Sequence, residues 1–516
     1  MPRTARVSPP TIALWALTAM MLGGGLVARA TAESLPFPGV SGTALIDPAQ
    51  VAADDAPGSA PPRAGLAGAG GAGTTPFYQR LTSVVGLLAL LAIAWLLSAD
   101  RRLIPWRVVA WGMGLQLLFA LFILRTPVGV ALFAGLNDVV VALLGFATDG
   151  ARFLFGGLVD QQIPVTGPGA QPGMVVETGA FFAFTVLPTI IFFSSLMTVL
   201  YHLGIMQWAV RGMAWVMVRT MRTSGAETLS AAGNIFVGMT EAPLLVKPYI
   251  EGMTRSELMA VMTGGFATVA GGVMAAYVGM LVGFFPDIAG HLIAASVMSA
   301  PAALVVAKLM YPEREEPVSR SELAAREASE HVNVIDAAAR GAGLGMRLAF
   351  NVGAMLLAFV ALIAMLNAIL GLVAGWVGLE SLLHGWGLLG PGEPVTLQAV
   401  LGWVLAPLAW IMGVTWADAP TVGALMGIKT ITNEFVAYLQ LAAILSGETA
   451  LSPRSVIIAT YALAGFANFG SIAIQIGGIG GIAPSRRADL SRLGLRAMVG
   501  GSLAGFLTAT IAGIIL

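Results

Sequence analysis

From Leu81 onward the chain alternates apolar runs of about 20 residues with short polar interruptions, and a helix rising 1.5 Å per residue needs about that length to cross bilayer hydrocarbon. Eight such runs lie near 81–98, 108–124, 179–203, 259–283, 288–308, 346–374, 453–475 and 493–515. The pattern predicts an all-α polytopic membrane protein. The stretches 128–148, 205–222 and 396–413 are amphipathic or interrupted and read as interfacial helices. Residues 223–250 and 418–445 are too polar in the middle and too long for one crossing, and each must return to its starting side. They read as re-entrant hairpins. Non-helical backbone survives at membrane depth only where protein or a water-filled cavity covers it, so two such hairpins predict an internal site.

Orientation comes from the basic residues. Arg101, Arg102 and Arg107 follow the first span, Arg211, Arg219 and Arg222 the third, Lys308 through Arg347 the fifth, and Arg486, Arg487, Arg492 and Arg496 precede the last. All four clusters fall on the cytoplasmic side when the first span starts outside, whereas the loops 153–177 and 376–395 hold no Lys or Arg. At the amino end, Arg3 and Arg6 precede an apolar stretch from about 12 to 27 and the small-residue run Ala28-Arg29-Ala30-Thr31-Ala32, the pattern of a cleavable secretory signal over 1–32. Residues 33–76 are rich in Pro, Gly, Ala and Asp with no periodic apolar face, and read as a disordered linker outside the cytoplasm.

Composition sharpens the picture by exclusion. Of 516 residues 57% are hydrophobic and 10% charged, with mean hydropathy +0.84, and 27 basic residues balance 27 acidic ones. That balance argues against a nucleic-acid binder. The absence of cysteine removes thiolate metal sites, iron–sulfur clusters and thiol catalysis, and four scattered histidines make a histidine metal centre a poor expectation. No enzyme is expected. A hydrolase needs a nucleophile with a base, and the hairpin regions hold neither Cys nor His. The run Gly478 to Ala483 spells a dinucleotide fingerprint but follows a membrane helix rather than a strand, so it reads as a Gly-rich turn.

An internal repeat links the hairpins. Asn234-Ile-Phe-Val-Gly-Met-Thr-Glu241 is followed by Gly265-Phe-Ala-Thr268, and about 200 residues later Lys429-Thr-Ile-Thr-Asn-Glu434 is followed by Gly465-Phe-Ala-Asn468. With the first hairpin entering from the cytoplasm and the second from outside, the halves have inverted topology, a transporter signature. A carboxylate or amine at bilayer depth costs about 2.5–3.5 kcal/mol on insertion scales. Glu241, Glu434 and Lys429 are therefore site candidates, Lys429 equally readable as the partner of a carboxylate in hairpin packing. Asn234, Asn433, Asn468, Thr240, Thr268 and Ser471 add neutral donors and acceptors suited to a polyhydroxylated solute, and Phe466 could stack on a ring. A channel or sensor is the binding-module alternative, which saturable, gradient-driven uptake would exclude.

At these residues the chain resembles the concentrative nucleoside transporters. Three blocks carry the likeness: Gly233 to Tyr249, similar to the family's GNxFxGQTEAPLL segment; Met262 to Gly271; and Gly427 through Asn433-Glu-Phe-Val-Ala-Tyr438 and Gly465-Phe-Ala-Asn-Phe-Gly-Ser-Ile472 to Arg487. The resemblance covers roughly residues 80–516 and implies importing of nucleosides or nucleoside-like solutes down a sodium gradient in a bacterial inner membrane. It implies that Met239, Thr240 and Glu241 at the first hairpin tip face the nucleobase, and that Glu434, Asn468 and Ser471, with Phe466 nearby, hold the ribose. Sodium would lie between the side chains of Asn234 and Thr268 and the carbonyls of Val237 and Val269. The partners implied are a nucleoside, membrane lipid and two further copies in a homotrimer, moving by an elevator-like shift.

The same resemblance divides the chain into scaffold helices (77–222), a first hairpin with its broken helix (223–308), a cytoplasmic loop (309–347), scaffold and interfacial helices (348–417), and a second hairpin with its broken helix (418–516). Met239 stands where the family usually has Gln, and a thioether cannot pair with a base edge, which leaves base preference open. Proton coupling through Glu241 and a different ring-bearing solute stay open as the alternative.

Overall fold

The computed structural model describes residues 76–160, 162–164, 175–177, 182–317, 319, 332–385, 389, 394–447 and 451–516. The expected signal segment and all but the last residue of the expected linker lie outside the described residues. The elements in order are α1 (Phe77–Leu96), α2 (Trp106–Arg125), α3 (Pro127–Phe155), the strands β1 (Gln162–Pro164) and β2 (Val175–Glu177), α4 (Phe182–His202) and α5 (Ile205–Met221). Then come α6 (Gly225–Gly233), α7 (Lys247–Ile250), α8 (Arg255–Ala267), α9 (Gly271–Leu281), α10 (Ile288–Met310) and α11 (Val334–Trp376). The chain finishes with α12 (Leu379–Gly385), α13 (Leu397–Ile411), α14 (Ala419–Ile431), α15 (Glu434–Leu445), α16 (Pro453–Leu463), α17 (Phe469–Ile482) and α18 (Arg487–Ile515).

Eight helical stretches among the described residues are long and apolar enough to cross a membrane, and seven coincide with expected spans. The span expected over 453–475 is not continuous. It is two helices, α16 and α17, separated at Ala464–Asn468, while Pro127–Val159 meets the length and composition of a span instead. That stretch contains α3, expected as an interfacial helix over 128–148. Thr126 starts it, accepting the Gly129 N–H at 3.0 Å with Pro127 in the first turn. The helix touches the starts of α10, where Asn137 Oδ1 accepts the Ala289 N–H at 3.2 Å, and of α4, where Phe155 meets Phe184 at 5.0 Å between ring centroids. The fold is all-α as expected, apart from the short antiparallel pair of β1 and β2. The cytoplasmic loop expected over 309–347 gives way to helix at Val334, since Asn333 caps α11 by accepting the Asp336 N–H at 2.9 Å. At 43 residues and 1.5 Å per residue, α11 is about 65 Å long, twice the hydrocarbon thickness.

Burial sorts the helices into two kinds. α1, α2, α3 and α11 carry exposed large apolar side chains, among them Leu88, Leu118, Val139 and Leu357, the surface that lipid rather than water covers. α8, α10 and α18 are buried over most of their length. The first hairpin packs against α8 and α10, and the second against α13, α16 and α9. The first is α6, a turn over residues 234–241 and a return through a 3-10 turn (Ala242–Val246) and α7; the second is the helix pair α14 and α15.

Each hairpin has an adjacent broken helix, α8 and α9 for the first and α16 and α17 for the second. The two breaks touch. Gly465 has φ +127°, and a Cβ on it would lie 2.8 Å from the Phe266 carbonyl oxygen and 3.0 Å from that of Ala267, so both conformation and approach require glycine. A buried ion-pair cluster fixes the root of the first hairpin. Lys308 Nζ lies 2.7 Å from Glu227 and 3.2 Å from Glu313 and donates to Ser256 Oγ at 2.9 Å, while Glu227 also accepts the Ser224 N–H at 2.8 Å in a capping box. Removing one member leaves an uncompensated buried charge. We expect Lys308→Met to cost about 3–5 kcal/mol and to lower the melting midpoint in detergent, with Glu227→Gln in the same chain recovering much of the loss; an unchanged midpoint for the single variant would contradict this account. Nearer the surface, the Arg102 backbone N–H and the Arg314 guanidinium hold the Asp100 carboxyl below the usual carboxylate range.

Candidate functional site

Glu434 is the first residue of α15, and it is there because Asn433 caps that helix, accepting the Val436 N–H at 2.9 Å. The second helix N-terminus arrives the same way. Asn468 caps α17, its Oδ1 accepting the Ser471 N–H at 2.9 Å, which leaves its Nδ2 to donate to Glu434 Oε2 at 3.1 Å. Tyr277 of α9 donates its hydroxyl to Glu434 Oε1 at 2.9 Å. A carboxylate only 5% exposed thus sits where two helix N-termini meet, each contributing partial positive charge, with a donor on each oxygen. Tyr277 is held in turn by stacking on Tyr438 at 4.5 Å and an edge contact with Phe435 at 5.3 Å. Asn433, expected among the neutral donors and acceptors, has its Oδ1 engaged as this cap.

Of the two readings of Lys429, the ion pair with a carboxylate is not seen among the described residues. Its Nζ donates at 2.9 Å to the Ala462 carbonyl, at the end of α16 where a broken helix leaves acceptors without intrahelical donors. Phe466, Asn468 and Ser471 are all buried beside that break.

The first hairpin tip lies against both broken helices. A Cβ on Gly478 would meet Thr240 Cγ2 at 2.8 Å, and one on Gly265 would meet Met239 Cβ at 2.8 Å. Thr240 donates to Glu241 Oε1 at 3.1 Å, and Glu241, unlike Glu434, is exposed. The structure therefore brings Met239 and Thr240 to the helix that carries Asn468 and Ser471.

The four residues expected around sodium sit at two chain interruptions stitched together by the Gly271 N–H, which donates to the Phe236 carbonyl at 3.0 Å. Asn234 ends α6, fully buried; its Nδ2 donates to the Ser230 carbonyl at 3.0 Å and its Oδ1 has no hydrogen-bond partner among the described residues. Thr268 ends α8 and donates to the Gly264 carbonyl at 2.9 Å, leaving its hydroxyl lone pairs available. The Val237 and Val269 carbonyls lie in the interruptions and accept no hydrogen bond among the described residues. Neutral oxygens of this kind fit a hard monovalent cation, and the orphaned Asn234 Oδ1 is the observation that favours one. No cluster of three carboxylate or histidine side chains that could hold another metal occurs among the described residues.

Residues 85–158 and 291–513 match the family models described as Na+ dependent nucleoside transporter N-terminus and C-terminus, and residues 183–284 match one described as nucleoside recognition. An uncharacterized transporter of Haemophilus influenzae is 45% identical over 437 residues, covering 84% of this chain and 97% of the relative. The chain belongs to the sodium-dependent nucleoside transporter family. Sodium/nucleoside cotransporter 1 of Rattus norvegicus is 40% identical over 450 residues, 85% of this chain and 64% of that longer protein. CNTnw, solved in an inward-facing substrate-bound state, matches at TM-score 0.73 with 45% identity over 84% of this chain and 97% of its own. A doubly substituted form of it in an outward-facing state gives 0.75.

Two buried residues beside the candidate site of this nucleoside transporter family member, Tyr277 and Gln475, are not among those the sequence pointed to. Tyr277 gave no signal, being one Tyr in an apolar helix 157 positions from the carboxylate it holds. Gln475 did give one: it stands four residues after Ser471 and seven after Asn468, on the same helical face.

Proposed function

We propose that the protein is a secondary active importer of nucleosides, driven by the sodium gradient across a bacterial inner membrane. In this reading Glu434, Asn468 and Ser471 hold the ribose hydroxyls, Met239, Thr240, Glu241 and Phe466 border the base, and Asn234, Val237, Thr268 and Val269 provide the sodium site. The observation that carries it is the Glu434 carboxylate, buried at two converging helix N-termini beside Asn468 and Ser471. Such a group accepts from vicinal hydroxyls with charge-assisted strength, and the amide beside it can donate to them. No catalytic step is assigned to any residue. A homotrimer whose transport elements shift against a scaffold belongs to the same proposal.

Uptake of radiolabelled uridine and adenosine into proteoliposomes, with and without an inward sodium gradient, tests class, substrate and coupling together. Sodium-driven accumulation of either is the expected result. Accumulation driven only by a proton gradient would overturn the sodium assignment, and no accumulation of any nucleoside by folded protein would overturn the substrate.

A further inference from the structure

Gln475 is fully buried on the face of α17 that carries Asn468 and Ser471. Its Nε2 donates to the Met262 carbonyl at 3.0 Å, whereas its Oε1 has no hydrogen-bond partner among the described residues. A buried acceptor without a donor opposes folding, so its presence asks what supplies the donor at another stage. The hairpin tip is its neighbour. Gln475 Nε2 and Met239 Cβ both lie 2.8 Å from the point where a Cβ on Gly265 would stand, and Thr240 packs on Gly478, three residues further along α17. The tip, α8 and α17 thus meet around a spot that a side chain at 265 would fill. What covers the amide there is a thioether, flexible about three bonds and without a hydrogen-bond donor.

We propose that Gln475 reads the hydrogen-bonding edge of the base, and that Met239 is the apolar cover displaced as the base enters. The proposal rests on the nucleoside reading above. The lone Oε1 selects a ring N–H, as at N3 of uracil or N1 of hypoxanthine, so a base methylated at that nitrogen leaves the acceptor buried and unpaired.

The test is sodium-driven uptake of uridine against N3-methyluridine, and of inosine against N1-methylinosine, by the full chain in proteoliposomes. Wild type is expected to prefer the unmethylated nucleoside by about tenfold or more. In Gln475→Met the preference should collapse to about one through loss of affinity for the unmethylated substrate alone, with the sodium concentration for half-maximal uptake unchanged. Were Gln475 only a brace for the Met262 carbonyl, the variant would lose uptake of both members of each pair in proportion and keep the ratio, which overturns the proposal. If Gln475→Met does not fold, the wild-type ratio decides, and a ratio near one rejects the role. Wild-type protein that accumulates all four nucleosides without preference fails this proposal alone; protein that accumulates none fails the substrate reading beneath it.

Discussion

Glu434→Gln is expected to abolish sodium-driven uptake while the protein still folds. Both carboxylate oxygens have donors, the Tyr277 hydroxyl and the Asn468 amide, and an amide at 434 would turn an NH2 toward one of them. It would also remove the charge that makes hydrogen bonds to substrate hydroxyls roughly twice as strong as neutral ones. Losing two such bonds at about 1.5–3 kcal/mol each corresponds to a fall of two or more orders of magnitude in affinity. Stability should move little, because the substitution also relieves the desolvation of a charge that has no ion-pair partner within 4 Å among the described residues. Initial uptake rates and the detergent melting midpoint separate the two effects. Wild-type uptake by the variant would remove Glu434 from the site.

Sodium dependence should yield first in Asn234→Ala. Asn234 Oδ1 has no hydrogen-bond partner among the described residues, so in the proposed site this substitution deletes a cation ligand. One lost neutral ligand should raise the sodium concentration for half-maximal uptake by roughly tenfold, with substrate affinity at saturating sodium less affected. The same ion should stabilise wild type against heat, in proportion to its occupancy, and stabilise the variant less at equal concentration. A sodium response identical to wild type in both measurements would vacate the proposed cation site.

Much of this architecture was legible because the bilayer imposes a one-dimensional rule. A run of about 20 apolar residues has few alternatives to a membrane helix, and Lys and Arg mark the cytoplasmic side whatever the packing. The hairpins were legible for the converse reason: Asn234 to Glu241 and Lys429 to Glu434 put polarity where a crossing helix has none. The departures have local causes. Apolarity over 453–475 is uninterrupted enough to look like one span, but Gly465 at φ +127° and the Asn468 cap end one helix and start another within it. Asn333 likewise starts α11 within what composition showed only as a charged loop.

The site divides along the same line. Its polar residues could be found because polarity at membrane depth is costly wherever it occurs along the chain, and Gln475 could have been found by helical periodicity. Their pairings could not. That Glu434 is held by Tyr277, that Lys429 turns to the Ala462 carbonyl rather than to a carboxylate, and that Asn234 Oδ1 is left without a donor depend on distances between segments 33 to 157 residues apart or on the turn each cap imposes. The sequence alone determined a helical membrane transporter with two polar hairpins, and it offered candidate residues for a solute and a cation. Tertiary structure alone decided which of those groups are satisfied and which are left open, because hydrogen-bond satisfaction is a property of neighbours in space and hydropathy a property of neighbours in the chain.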